Sequence, residues 1–282
     1  MTIGEVLKFS EDQLKRAGIA EAALDAKYLL MEVASLSSTA LFFSAREELG
    51  EEIITAYRMA LERRTAREPL QYIMGTQEFM GLSFLVSPAV LIPRQDTELL
   101  VEAAIPFCHG ARVLDLCTGS GCILLSLAKL GGIREAVGTD LSREALAVAQ
   151  LNADRLNLRA QFIQSDLWET VPGNFDVIIS NPPYIPTEEI GGLMPEVRDF
   201  EPHMALDGGA DGLYFYRKIA AGAGARLHLG GRIFLEIGYH QAEDVVRLLE
   251  ENGFREIIIK KDYAGLDRVV CARWMGKLAF ID

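Results

Sequence analysis

The sequence has 282 residues. This length favours two domains, because a single domain commonly contains about 100–200 residues. Half of the residues are hydrophobic and 24% are charged, which is the composition of a protein with a packed core. With 28 Lys and Arg against 40 Asp and Glu, the net charge is −12. So acidic a chain is poorly suited to bind nucleic acid or anionic membranes through their phosphates, and we expect neither interaction.

The cysteines and histidines predict neither a disulfide framework nor a metal site. The four cysteines contain no CxxC pair, and the four histidines are scattered without ligand spacing to them. The N-terminal residues include early acidic side chains and no apolar core segment of a secretory signal. We therefore expect a cytoplasmic protein without a bound metal.

Residues 1–75 predict a small helical domain. Thr2 and Glu5 have capping-box spacing, apolar residues recur at helical spacing over 22–33, and 51–67 forms a further helical stretch. This part contains 9 basic and 12 acidic residues and no phosphate-binding loop. It is either a scaffold or a docking module. Residues 76–92 are β-rich but broken by Gly81 and Pro88, which predicts a hairpin-like connector.

From residue 93 to residue 282 strands and helices alternate, which predicts an α/β domain with a mostly parallel sheet covered by helices on both faces. The connection between the last two strands is short, so we expect these strands to be antiparallel. The predicted strands are 112–116, 135–139, 162–163, 175–180, 232–237, 256–260 and 268–273, and the predicted helices are 122–130, 142–156, 213–229 and 241–251.

Residues 115–122, DLCTGSGC, lie between the first predicted strand of this domain and its helix. Glycines there allow a ligand to approach the backbone, and the helix N-terminus offers free N–H groups. The segment lacks the third glycine of a dinucleotide loop and the GK[ST] of a P-loop. The pattern favours a nucleoside ligand without a pyrophosphate; the alternative is a plain tight turn.

Two carboxylates follow the next two predicted strands. Asp140 is positioned to accept both ribose hydroxyls, or alternatively to cap the helix that begins near Ser142. Asp166 is positioned to meet an adenine amino group while Leu167 covers the ring, or alternatively lies in a surface loop. Because parallel strands end at the same edge of a sheet, the loop and the two acids predict a nucleoside pocket.

The segment Asn181-Pro182-Pro183-Tyr184 directly follows the fourth predicted strand. An amide or exocyclic amine nitrogen is a weak, planar nucleophile that needs acceptors for its N–H bonds. The Asn181 side-chain oxygen and the Pro182 carbonyl can supply them, Pro183 stiffens the turn, and Tyr184 can pack on the planar group. The segment predicts methyl transfer to such a nitrogen by orientation and hydrogen bonding; the alternative is a turn that merely ends a strand.

Together these segments resemble the HemK-type methyltransferases, which methylate the side-chain amide of a glutamine in peptide chain release factors. The resemblance covers nearly the whole chain and includes REPLQYIMG (67–75), EFMGLSFLV (78–86), VLIPRQDTE (90–98), EPHMALDGGADGL (201–213) and GLDRVV (265–270). It implies S-adenosylmethionine as methyl donor, with S-adenosylhomocysteine as product. It also implies a Rossmann-like class I methyltransferase fold over residues 93–282 behind a substrate-docking helical domain, and a release factor as protein partner.

The resemblance assigns the site residue by residue. At the cofactor it places Cys117, Thr118, Gly119, Ser120, Gly121, Asp140, Asp166, Leu167 and Asn181; at the target glutamine it places Asn181, Pro182, Pro183 and Tyr184, of which Asn181, Pro182 and Tyr184 are the catalytic set. Two departures from the family pattern stand out. Gln95-Asp96 replaces the frequent Pro-Glu, which leaves the role of Asp96 open. Cys117 stands where glycine is frequent; it is small enough not to block the cofactor, provided that the backbone there does not require positive φ.

Two other functions remain possible from the sequence. The first is an amino-group methyltransferase acting on adenine or guanine in nucleic acid, because NPPY suits those amines equally well. Such an enzyme must bind phosphates, yet the one basic cluster is Arg63, Arg64 and Arg67, which is more simply a solvated helix face. The second is a non-catalytic binding protein, against which the intact loop, acids and NPPY weigh together.

Overall fold

The computed structural model describes residues 1–276, which form two compact units. The first unit comprises Met1–Thr76 and Met194–Phe200; the second comprises Gln77–Leu193 and the residues from Glu201 onward. The end of the predicted catalytic domain, residues 277–282, lies outside the described residues. Within residues 1–276 no helix combines the length and apolar character needed to cross a membrane.

The α-helices of residues 1–276 are numbered in chain order. They are α1 (Ile3–Arg16), α2 (Ala22–Ala34), α3 (Ser38–Phe43), α4 (Glu51–Thr65), α5 (Leu70–Met74), α6 (Gln95–Ala104), α7 (Cys122–Leu130), α8 (Arg143–Leu156), α9 (Pro195–Phe200), α10 (Tyr214–Ala223) and α11 (Ala242–Glu251). Short 3₁₀ turns occupy Ile105–Phe107, Thr187–Gly192 and His203–Ala205.

The strands of these residues form a hairpin and a large sheet. They are β1 (Thr76–Phe79), β2 (Leu82–Leu85), β3 (Arg112–Leu116), β4 (Glu135–Asp140), β5 (Gln161–Gln164), β6 (Phe175–Ser180), β7 (Leu227–Glu236), β8 (Phe254–Lys261) and β9 (Asp267–Trp274). Strands β1 and β2 pair with each other, and the other seven form a sheet in the order β5-β4-β3-β6-β7-β9-β8. The pairs from β5 to β7 are parallel. The last two strands, β8 and β9, are antiparallel, as predicted, and β9 is also antiparallel to β7.

The first unit contains α1–α5 and α9. The predicted capping box is confirmed: the Thr2 hydroxyl accepts from the Glu5 N–H, and the Glu5 carboxylate accepts from the Thr2 N–H. A buried Arg64 on α4 pairs with Asp25 on α2 at 2.8 Å and with Glu196 on α9 at 3.0 Å. Arg67 adds a further contact to Glu196 at 2.6 Å. These ion pairs attach the 194–200 segment to the helices of this unit.

The second unit buries side chains on both faces of the large sheet. Neighbouring residues of β3 alternate between them: Val113 packs in the layer with α6, α7 and α8, while Leu114 and Leu116 pack in the layer with α10 and α11. Strand order reverses at β3, which has β4 on one side and β6 on the other. In such sheets the carboxyl ends of the strands at the reversal form a ligand crevice.

Several predicted boundaries are confirmed, and one element is wrong. The strands 112–116 and 175–180 and the helix 122–130 occur with the predicted limits, and the hairpin occupies 76–85 of the predicted connector. The helix predicted over 213–229 ends at Ala223, and β7 already begins at Leu227 rather than at residue 232. A Cβ at Gly222 or Gly224 would lie 2.3–2.5 Å from Trp168 or Trp274, so close packing of the two indole rings accompanies the end of this helix.

Candidate active site

The loop between β3 and α7 folds tightly over the end of the sheet. Its turn uses positive φ at Cys117 (+59°), Gly119 (+54°) and Gly121 (+77°). A cysteine at position 117 was expected to be harmless only if the backbone did not require positive φ. That condition is not met, because Cys117 adopts a left-handed backbone conformation that favours glycine. A Cβ at Gly119 would meet no atom within 4 Å, whereas one at Gly121 would contact Ala149 on α8 at 3.2 Å. Gly119 thus leaves room for a ligand, and Gly121 permits close helix packing.

Asp140, at the end of β4, ties this loop to the next one. Its two carboxylate oxygens accept from the backbone N–H groups of Gly119 and Ser142, each at 2.9 Å. Burial raises the pKa of Asp140, and these backbone hydrogen bonds oppose the rise. The predicted alternative role, capping α8, belongs instead to Ser142, whose hydroxyl accepts from the Ala145 N–H. Each Asp140 oxygen retains a lone pair that can accept from a hydroxyl group.

Asp115, buried below the loop, supports it from within the sheet. The Thr118 hydroxyl donates to one Asp115 oxygen at 2.6 Å. The other oxygen has no hydrogen-bond partner among the described residues. Burial raises the pKa of Asp115 to about 7. The protonation state of Asp115 below the loop therefore changes near neutral pH.

Asp166 and Leu167 follow β5. Asp166 is exposed, and Leu167 is buried with a φ of +48°. The Ser165 hydroxyl holds this turn by donating to the Leu167 carbonyl at 2.9 Å and accepting from the Thr170 N–H at 3.1 Å. The turn thereby presents one acidic and one apolar side chain to the same crevice.

Asn181 stands at the end of β6, opposite the loop. Its amide nitrogen Nδ2 donates to Thr97 Oγ1 on α6 at 3.3 Å. Thr97 is buried, with 3% of its surface exposed, so the partner of the amide is held in a fixed place. With the nitrogen so engaged, the Asn181 oxygen is the atom of this side chain that serves as an acceptor for a ligand.

The 208–212 loop packs closely against Tyr184 at the end of the NPPY segment. A Cβ at Gly208 would lie 2.7 Å from the Cα of Tyr184, and one at Gly212 would lie 2.4 Å from the Tyr184 carbonyl oxygen. Gln241 Nε2 donates to that same oxygen at 2.9 Å. The Tyr184 hydroxyl is directed to the buried Glu236 on β7, at 3.5 Å from Oε1. Through these contacts with Gln241 and Glu236, Tyr184 helps to hold the turn in place.

A cavity of about 600 Å³ lies at the carboxyl edge of the sheet, a size typical of small-molecule sites. The predicted residues in its lining are Cys117, Thr118, Gly119, Ser120, Asp140, Asp166, Leu167, Asn181 and Pro183. Three other predicted residues, Gly121, Pro182 and Tyr184, lie outside the lining. The structure therefore brings the loop, both acids and Asn181 to one cavity.

Four residues of this region were missed by the sequence reasoning. Thr97 and Arg94 line the cavity from the start of α6; Arg94 pairs with the buried Glu201. Glu236 lies in an apolar strand, where it resembles a core position. The sequence contains a signal for the start of helix α6, because the acidic residues Asp96 and Glu98 in its first turn follow Pro93. Glu201 stands in the quoted segment 201–213 but had no assigned role.

Comparison with known proteins identifies the family. Residues 5–75 match the family model described as the PrmC N-terminal domain, and residues 94–192 match the methyltransferase small domain. The chain is 44% identical over 274 residues to the release factor glutamine methyltransferase of Geobacter sulfurreducens, covering 96% of this chain and 96% of that protein. The chain belongs to the release factor glutamine methyltransferase family.

A second member of the release factor glutamine methyltransferase family shows similar agreement, and a more distant methyltransferase structure shares the fold. The Agrobacterium fabrum protein is 39% identical over 281 residues, covering 96% of this chain and 97% of that protein. A methyltransferase structure from Pyrococcus furiosus has a TM-score of 0.54 at 20% identity, and the match covers 70% of this chain and 90% of that one. The chain is therefore an enzyme of the methyltransferase class, and the predicted class I methyltransferase fold is confirmed.

Proposed function

We propose that this enzyme transfers a methyl group from S-adenosylmethionine to the side-chain amide nitrogen of a glutamine in a peptide chain release factor. The observation that carries the proposal is the presence of Asn181 and Asp140 on one cavity in a chain of this family. Because release factors act in translation, the proposed reaction takes place in the cytoplasm.

The residues of the cavity suit the methyl donor. Asp140 keeps acceptor capacity for two ribose hydroxyls, Gly119 leaves space beside the backbone, and Leu167 offers an apolar surface to a base. Asp166, at the cavity, offers an acceptor for an exocyclic amine. When bound, the donor supplies a methyl group on a positively charged sulfur, which makes that carbon reactive toward a neutral nitrogen.

The protein's part in the reaction is orientation. The Asn181 oxygen and the Pro182 carbonyl accept the two N–H bonds of the glutamine amide, which aims the nitrogen lone pair at the methyl carbon. Transfer of the methyl group would place positive charge on the amide nitrogen, and the surplus proton would then pass to solvent. Acceptors already pointing at those N–H bonds stabilise that charge as it develops.

The test is incubation of the purified protein with a donor labelled on its methyl group and either a release factor, RNA or DNA. Mass spectrometry of the release factor should locate one added methyl on one glutamine. Label on nucleic acid alone would refute the proposal in favour of an amino-group methyltransferase of nucleic acid. Label on no substrate would favour a non-catalytic binding protein.

Two variants separate the proposed roles. Asn181→Ala should abolish transfer and leave donor affinity within about threefold, because Asn181 acts chiefly on the nucleophile. Asp140→Ala should weaken donor binding first, because it removes the acceptor of the ribose hydroxyls and of the Gly119 N–H. Calorimetric titration with the donor measures donor affinity, and a labelled-methyl assay measures transfer. Loss of donor affinity in step with activity in Asn181→Ala would contradict its assignment.

We also propose that the helical unit docks the protein substrate. The residues that line the cavity belong to the second unit, so the first unit serves a different purpose. Hydrogen exchange on the full chain should show slower exchange in residues 1–75 when a release factor is added. Unchanged exchange in this region under saturating release factor would refute a docking role.

A further inference from the structure

A buried carboxylate beside the NPPY segment has no role among those assigned so far. Glu236 ends β7, the strand next to β6, and only 1% of its surface is exposed. Its Oε2 atom has no hydrogen-bond partner in the described residues. Burying a carboxylate with one oxygen unpaired is unfavourable, so its place on the strand next to the NPPY segment calls for a role.

Two hydroxyl groups connect Glu236 to the NPPY segment. The Tyr184 hydroxyl is directed to Glu236 Oε1 at 3.5 Å. The Thr97 hydroxyl accepts from Asn181 Nδ2 at 3.3 Å, and Thr97 is also the side chain that most lowers the pKa of Glu236 by hydrogen bonding. One carboxylate therefore acts on both ends of the four-residue segment, through one hydroxyl each.

The direction of these hydrogen bonds carries information. A threonine hydroxyl has one proton and can accept through its lone pairs. If the proton is donated toward a carboxylate, a lone pair is turned to the Asn181 amide nitrogen. That arrangement keeps the nitrogen of Asn181 on Thr97 and leaves its oxygen to face the ligand. Without a charged acceptor behind it, the hydroxyl is held less strongly in this rotamer and the preference weakens.

Resting on the proposed function, we propose that Glu236 is a positioning residue for methyl transfer, which acts through Thr97 and Tyr184 to hold Asn181 and the NPPY turn in the orientation that accepts the substrate amide. The residue does not touch the substrate. Its effect should appear in the transfer step and not in donor binding.

The charges around Glu236 make this positioning depend on pH. Arg268 lies 3.0 Å from Asp262 and 3.5 Å from Asp96, and the phenols of Tyr184 and Tyr216 pack against the same site. Burial, together with the charge of Asp96 and against that of Arg268, raises the pKa of Glu236 to about 7. The ionised form accepts both hydroxyls, so transfer should decline as the pH falls through about 7.

The experiment compares single-turnover methyl transfer to a release factor by the wild type and four variants of the full chain. Glu236→Gln removes the charge, Thr97→Val removes the hydroxyl, and Thr97→Ser restores it. Glu135→Gln is the control, because Glu135 begins β4 at the edge of the sheet opposite the cavity, where it pairs with Arg112. Donor affinity is measured by calorimetry, and the Asn181 side-chain amide is followed by NMR.

We expect Glu236→Gln and Thr97→Val to slow transfer by about 10- to 100-fold, the effect of a small misplacement, with donor affinity within about twofold of wild type. Thr97→Ser should recover most of the rate. At saturating donor, the fall in transfer rate below about pH 7 should be smaller in Glu236→Gln than in the wild type, and the remaining dependence comes from Asp115, whose pKa is also about 7. The Asn181 amide resonances should shift in the first two variants and remain in place in Glu135→Gln.

A rate in Glu236→Gln equal to that of Glu135→Gln would overturn the proposal, and so would equal losses of rate and donor affinity. If Glu236→Gln does not fold, Thr97→Val and Thr97→Ser decide the question by the same criteria. If the wild type methylates no release factor, the proposed function fails on its own, and the NMR comparison alone decides whether Glu236 orients Asn181.

Discussion

Replacing Gly208 by alanine tests whether the 208–212 loop holds the NPPY turn in its working position. Gly208 lies outside the left-handed region, so the substitution introduces no backbone strain and acts through its methyl group alone. That methyl would lie 2.7 Å from the Cα and carbonyl carbon of Tyr184 and 2.9 Å from the Cα of Gly212. Carbon atoms in contact are normally about 3.5–4.0 Å apart, so one backbone must move by about 1 Å.

The size of this displacement sets the expected effect. Overpacking of this kind costs about 1–3 kcal/mol of unfolding free energy. A shift of about 1 Å in a group that positions a substrate reduces the reaction rate by roughly 100-fold. Asn181 lies three residues before Tyr184 on the same turn, so we expect single-turnover transfer to fall by about 10- to 100-fold. Donor affinity should stay near that of the wild type, because Asp140 ends a different strand.

The matched control is Gly191→Ala. A Cβ at Gly191 meets no atom within 4 Å, and its φ is also outside the left-handed region. Single-turnover transfer, donor titration and denaturant unfolding are measured on both variants. Equal transfer rates in the two variants would refute the steric reasoning. A loss of donor affinity as large as the loss of rate would show that the loop acts on the cofactor site instead.

Three further predictions concern the loop, the buried acid and the surface charge. Cys117→Gly should change the unfolding free energy by less than about 1 kcal/mol, whereas Cys117→Val, β-branched at a φ of +59°, should lower it by about 1–3 kcal/mol in denaturant titrations. Because burial raises the pKa of folded Asp115 to about 7, above its value in the unfolded chain, the wild type loses stability as the pH rises from about 4 to about 7. Asp115→Asn lacks this loss, so its melting temperature relative to that of the wild type should rise over this range and then level off. A pH-independent difference would contradict this sign. The association rate with a release factor should fall as salt increases, in stopped-flow measurements, and a salt-insensitive rate would exclude electrostatic attraction to this acidic chain.

The parts of the fold that the sequence predicted best are those with a strong local signal. FDVIIS is centred on the β-branched run Val-Ile-Ile, and it is the strand β6 from Phe175 to Ser180. Ser142 has the side chain of a helix cap and caps α8. The 213–229 helix was wrong at its end because Gly222 and Gly224 pack against tryptophans 168 and 274, which are remote in sequence. No local pattern reports such contacts.

The candidate site divides in the same way. The loop, Asp140, Asp166 and Asn181 could be named in advance because each follows a strand, and parallel strands end at one edge. The link between Asn181 and Thr97 joins residues 84 positions apart, and Glu236 lies in a strand that otherwise reads as core. Packing of α6 against the end of β6 decides the first, and pairing of β7 with β6 decides the second. The function of such residues becomes visible only when these elements are placed side by side.

The arrangement of charge separates two functions that the NPPY segment does not. An amide and a nucleobase amine present the same planar N–H₂ group, so Asn181 suits both. A nucleic acid also needs cations for its phosphates. Beside the cavity, Arg94 is paired with Glu201, and Arg268 is paired with Asp262. The residues after Gly75 carry 19 basic and 28 acidic side chains, which is −9 of the total −12. Cations already neutralised by carboxylates, within an acidic unit, support the proposed protein substrate over a polyanion.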